Sequence, residues 1–155
     1  MLSAYKQSNL SEDLVKREIS GVAKSLRQTY LATEGNEKFV MKGDNLYKGN
    51  TMLSGNYKLV DQLKDEQDVE VSLFFGDVRE VTTLKDESGK REINTKMSSE
   101  VYDTLKKGEE YFATNVDVLG TDYYGYYVPV YQPGTKEFAG SVFCGRTQTQ
   151  VTQSL

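Results

Sequence analysis

Histidine and tryptophan are missing from this sequence, and cysteine occurs once and proline twice in 155 residues. Without histidine there is no Ser-His-Asp triad, no Cys-His dyad and no His-ligated zinc. The single thiol, Cys144, forms no intrachain disulfide and no thiolate metal cluster. A Gly-x-x-x-x-Gly-Lys-Ser/Thr run is also missing, which argues against a P-loop nucleotide enzyme. No apolar run is long enough for a transmembrane helix or a secretory signal. Charge of one sign is scarce too: 19 basic and 23 acidic residues leave a net −4. That is a poor basis for holding nucleic acid or anionic lipid through the overall field. No cofactor or metal motif is left.

What is present suits one folded domain. Hydrophobic residues make up 37% and charged residues 27%, with 11 Tyr and 6 Phe as large packing groups. A chain of this size buries about 68–70% of its unfolded surface, enough for a sizeable core.

Val15, Ile19, Val22, Leu26 and Tyr30 recur at helical spacing, with charged residues between them. The spacing predicts a helix from about Ser3 to Thr33, stopped at Gly35-Asn36. Such a helix either covers the core or extends past it to meet a partner. Burial of the whole stripe within one subunit would remove the physical basis for the second option. Residues 37–56, broken by three glycines, read as loops and short elements. A short helix is expected over Lys58–Gln67. Runs 69–75 and 79–84 form a hairpin around Gly76-Asp77, and a short strand follows at 91–95. Ser98 or Ser99 caps a helix over 100–107, stopped by Gly108. Three strands, 110–119, 122–132 and 138–146, form a meander, and the polar tail 147–153 is expected to fray or connect. Hairpin-linked strands with segregated helices give an α+β fold on an antiparallel sheet of about five strands.

Five tyrosines stand at 123, 124, 126, 127 and 131. Alternation puts Tyr123, Gly125, Tyr127 and Tyr131 on one face, and Tyr124, Tyr126, Val128 and Val130 on the other, against the long helix. The Gly125 gap between two phenols marks either a ligand's close approach or ordinary packing of a tyrosine-rich strand. Arg79 either takes a carboxylate bidentately or pairs with Asp77 or Glu80 at the surface. Thr82 falls on the opposite face from Arg79 under strict alternation, so the two share a site only through a turn or bulge. Lys96 either places its ammonium at the start of the helix after Ser98 or is solvated. The pairs Asp117/Asp122 and Asp86/Glu87 read as loop charge, Cys144 as a small core hydrophobe, and Asn9-Leu10-Ser11 as a chance glycosylation match.

In order along the chain stand Phe74-Phe75-Gly76-Asp77-Val78-Arg79, Thr82, Asp86-Glu87-Ser88-Gly89-Lys90-Arg91 and Thr95-Lys96. Gly108 to Phe112, Tyr123 to Val130 and Gly140 to Gly145 follow. This series resembles single Cache (PAS-like) sensor domains over about residues 35–146. The resemblance implies a leading helix (1–34), a ligand-binding core (35–147) and a connector (148–155). It implies an extracytoplasmic module of a bacterial membrane receptor, commonly a methyl-accepting chemotaxis protein, otherwise a histidine kinase or diguanylate cyclase. Transmembrane helices would flank the chain, which would touch the membrane only through them, and the N-terminal helix would form a homodimer. The matching pocket positions are Arg79, Thr82, Lys96, Tyr123, Tyr127 and Phe143, and strand direction adds Asn115. Citrate-sensing relatives carry basic residues where this chain has Gly125 and Tyr127, and use a histidine that it lacks. With Arg79 and Lys96 as the available cations, a mono- or dicarboxylate is expected rather than a tricarboxylate. No catalytic residue is expected, since no carboxylate pair is placed for acid-base work. The competing expectation is a ligand-free dimerisation or interaction domain with tyrosines as core.

Overall fold

The computed structural model describes residues 4–154. The expected helix start at Ser3 and the final Leu155 lie outside these. Twelve elements follow one another: α1 (Ala4–Ala32), β1 (Phe39–Lys42), β2 (Asn45–Lys48), β3 (Thr51–Met52), α2 (Lys58–Gln67), β4 (Glu70–Phe75), β5 (Val78–Thr82), α3 (Ser99–Lys106), β6 (Tyr111–Val118), β7 (Thr121–Tyr131), β8 (Phe138–Thr147) and α4 (Gln148–Ser154).

The main sheet has the order β5-β4-β8-β7-β6, antiparallel throughout. Period-2 alternation divides it into two faces. Val71, Leu73, Val128, Val142 and Cys144 pack with Val15, Ile19, Ala23, Leu26 and Tyr30 of α1. Phe74, Tyr127 and Phe143 form a second cluster on the other face with Met97, Val101 and Leu105. The apolar stripe of α1 is thus consumed by the chain's own sheet. Val22 of the stripe is partly rather than fully buried, and the exposed large apolar residue on the described part of α1 is Leu14, 55% accessible.

The short elements expected over 37–56 take definite form, and two other local expectations change. Residues 37–56 build a second, three-stranded sheet, β1-β2-β3, whose strands are too short to show a period. No strand forms over 91–95; single bridges at Lys85–Arg91 and Val78–Lys96 tie that segment to its neighbours. The tail coils into α4, with Val151 buried. A capping box starts it: the Gln150 amide donates to Thr147 Oγ1 (2.9 Å), and the Thr147 amide donates to Gln150 Oε1 (2.6 Å). No helix among the described residues is long and apolar enough to cross a membrane.

Candidate functional site

A cavity of about 540 Å³ opens on the sheet face opposite α1. Its walls are the start of β5, the segment 92–98, the first turn of α3, and β6 with its turn into β7. Ser98 accepts from the Val101 amide at 3.3 Å and so fixes where α3 begins.

Arg79 sits in this wall, 6% accessible. Its position follows from a β-bulge. Thr82 pairs with Ser72, Val81 with Leu73 and Arg79 with Phe74, which leaves Glu80 as the extra residue of β5. Arg79 and Thr82 therefore share a face, as the sequence allowed only through such an irregularity. The Arg79 Nε donates to Ser72 Oγ at 3.0 Å, and Ser72 Oγ lies 2.7 Å from Thr82 Oγ1. A second guanidinium nitrogen donates to Thr95 Oγ1 at 2.6 Å. The Arg79 amide donates to the Thr95 carbonyl, and its own carbonyl accepts from the Asn94 amide, both at 2.8 Å. The guanidinium stacks 4.7 Å from the Phe74 ring centroid. Burial lowers its pKa, while nearby Tyr127, Glu92 and Tyr123 oppose that. Among the described residues no carboxylate forms an ion pair with it. A desolvated cation held by neutral groups at a cavity wall is a ready anion site.

Of the other expected positions, Lys96, Asn115 and Tyr127 line the cavity with Arg79. Lys96 is exposed, and Asn115 reaches the wall from a bulge in β6, where the pairing shifts between Ala113 and Val116. The Tyr127 phenol is buried, its pKa raised by desolvation, and its ring stands 5.0 Å from Phe143 and 6.2 Å from Tyr111. Thr82, Tyr123 and Phe143 are not on the wall. Thr82 lies behind Arg79 in the hydroxyl chain, and Tyr123 is buried on β7. Phe143 is fully buried and fills the Gly125 gap: a Cβ at Gly125 would stand 2.8 Å from its ring, and one at Gly145 2.6 Å. What glycine admits here is that ring.

The sequence did not point to Ser72, Thr95, Glu92, Glu100 or Tyr111 as site groups. Ser72 was legible in principle, as a hydroxyl on the Phe74 face of β4. The others arrive from a loop, a helix and an edge strand with no shared motif. Among the described residues no cluster of three metal-ligating side chains occurs.

A family model described as single Cache domain 3 matches residues 51–155, and the chain belongs to that family. No curated protein sequence matches it. Among solved structures, the crystal structure of the E. coli DcuS sensor domain superposes with a TM-score of 0.62 at 18% identity, covering 93% of this chain and 96% of that one. That likeness is one of fold: a long N-terminal helix on a five-stranded antiparallel, PAS-like sheet.

Proposed function

We propose that this single Cache domain is the extracytoplasmic ligand-binding module of a bacterial membrane receptor, and that its cavity takes a small mono- or dicarboxylate without transforming it. The observation that carries the proposal is Arg79, desolvated at the cavity wall and without an anionic partner among the described residues. Arg79 supplies the charge-assisted clamp, Thr82 holds it through Ser72, and Lys96 stands at the rim. Tyr127 closes the floor with Phe143 packed against it, Tyr123 is buried further along β7, and Asn115 adds a polar group from β6.

In the full receptor, a chemoreceptor by this reading, closure of the sheet on the ligand displaces α1, which packs on the same strands from behind. Such displacement needs a ligand that binds the two states with different affinity. Copies of the receptor would then meet on the exposed face of α1, where Leu14 stands.

A thermal-shift panel of formate, acetate, propionate, lactate, succinate and malate tests the proposal. An acid at 100 times its dissociation constant stabilises by about 2.7 kcal/mol, or roughly 5–10 °C for a domain of this size. The expected result is a shift with at least one acid that Arg79→Ala abolishes. Silence across the panel, or a shift that survives Arg79→Ala, rejects the clamp.

A further inference from the structure

The cavity wall is not uniformly basic. Its charged side chains are Arg79 and Lys96 against Glu92, Glu100 and Asp117. Asp117 accepts from the Gly120 amide at 2.8 Å and is engaged in its own turn. Glu92 and Glu100 form no ion pair among the described residues. Glu92 is near enough to Arg79 to act on its titration, and Glu100 meets the Tyr111 phenol, whose pKa burial and this carboxylate both raise. The Tyr111 and Tyr127 rings line the same space. Carboxylates beside aromatic rings are the chemistry that receives a protonated amine.

We propose that the cavity selects a zwitterion, a small amino acid whose carboxylate meets Arg79 and whose ammonium meets Glu92 and Glu100. This rests on the reading that Arg79 takes a carboxylate. A second carboxylate on the ligand would face three acidic side chains with only the exposed Lys96 to balance it. An ammonium there gives Glu92 and Glu100, which form no ion pair among the described residues, a local counter-charge. Glu92 and Glu100 are then the residues that separate an amino acid from the plain acid of the same skeleton. Such discrimination comes as much from rejecting the wrong ligand as from holding the right one.

Calorimetric titration of the purified chain with matched sets tests this: L-alanine, propionate and ethylamine, then 4-aminobutanoate, butanoate and butylamine, with succinate as the dianion. The expected result is at least tenfold tighter binding of one amino acid than of its matched acid and amine. In the Glu92→Gln/Glu100→Gln double variant that preference should fall toward unity, while the plain acid binds no worse. Both glutamates are at least partly exposed, so the unliganded melting temperature of the variant checks that the fold is intact. If propionate, butanoate or succinate binds through Arg79 as tightly as any amino acid, the zwitterion inference fails and the carboxylate clamp stands. If the double variant keeps the full preference, the inference also fails. If no carboxylate binds, with or without an amine, the clamp itself is refuted and the inference with it.

Discussion

The Arg79 guanidinium and the Thr82 hydroxyl meet at one atom, Ser72 Oγ, at 3.0 and 2.7 Å, although the two residues are three apart in one strand. The bulge at Glu80 makes this possible. Ser72 accepts from Arg79, and its own proton is free to go to Thr82, which also accepts from the Leu84 amide at 3.0 Å. The clamp is therefore aimed by a buried hydroxyl pair.

Thr82→Val keeps the shape and removes the acceptor. A buried hydrogen bond contributes about 1 kcal/mol net, so binding of the acid with the largest thermal shift should weaken roughly three- to tenfold. Thr82→Ser should restore most of it. Equal affinity in wild type and Thr82→Val, measured by titration calorimetry, would mean that Ser72 and Thr95 aim Arg79 without help from the Thr82 hydroxyl.

Phe143 predicts a packing effect. Gly125 has an ordinary strand conformation, so Gly125→Ala carries no backbone strain, but its Cβ would meet the Phe143 ring at 2.8 Å and Val116 at 3.1 Å. Overpacking of this kind costs about 1–3 kcal/mol. The Phe143→Leu/Gly125→Ala pair should lose less than the sum of the single losses, by more than about 0.5 kcal/mol in urea unfolding. Strict additivity would show that the ring does not set the spacing.

The sequence carried the elements whose periods run long enough to be seen. The Val15-to-Tyr30 stripe and the alternation from Tyr123 to Val130 announced α1, β7 and the two faces of the sheet. It did not carry β1 to β3, because strands of four, four and two residues show no period. Arg79 and Thr82 were legible as residues but not as neighbours, since nothing in the residue types marks Glu80 as the extra one. Glu92 and Glu100 were illegible because a loop and a helix turn bring them to the wall from separate places. Gly125 was correctly singled out as a close approach, but what approaches is Phe143.

Arg91 straps the segment that forms the cavity wall to α2. Its guanidinium donates to both Asp61 carboxylate oxygens at 2.7 Å and to the Thr82 carbonyl at 2.9 Å. The Arg91 hydrogen bond holds Asp61 below its usual 3.8. The unfolded chain therefore takes up this proton first as pH falls. The stabilisation is complete above about pH 4 and is lost as pH drops through the lower folded-state value. Asp61 is 42% accessible on its side chain, so the pair is worth no more than about 1 kcal/mol. Asp61→Asn should lower the urea midpoint at pH 7, and the gap to wild type should be narrower at pH 3. A gap of the same size at both values would assign the loss to something other than this carboxylate's charge.

Lys48 gives the sharpest stability prediction, because its side chain has no solvent exposure and no ion pair within 4 Å among the described residues. Its ammonium donates to the carbonyls of Thr33 and Gly35, just past the end of α1, and stands 5.7 Å from the Phe39 ring. Carbonyls at a helix end lack intrahelical partners, and a cation there also suits the helix dipole. Lys48→Met keeps the length of the stem and strands both acceptors. Hydrogen bonds to a charged group are worth about 1.5–3 kcal/mol, against which the cost of burying the ammonium must be set. A net loss of about 1–2 kcal/mol in urea unfolding is expected, together with faster amide exchange in the last turn of α1. If Lys48→Met is as stable as wild type and the last turn exchanges no faster, desolvation cancels the cap, and α1 is held on the sheet by the Val15-to-Tyr30 stripe with the Arg27–Pro129 and Glu18–Arg146 contacts.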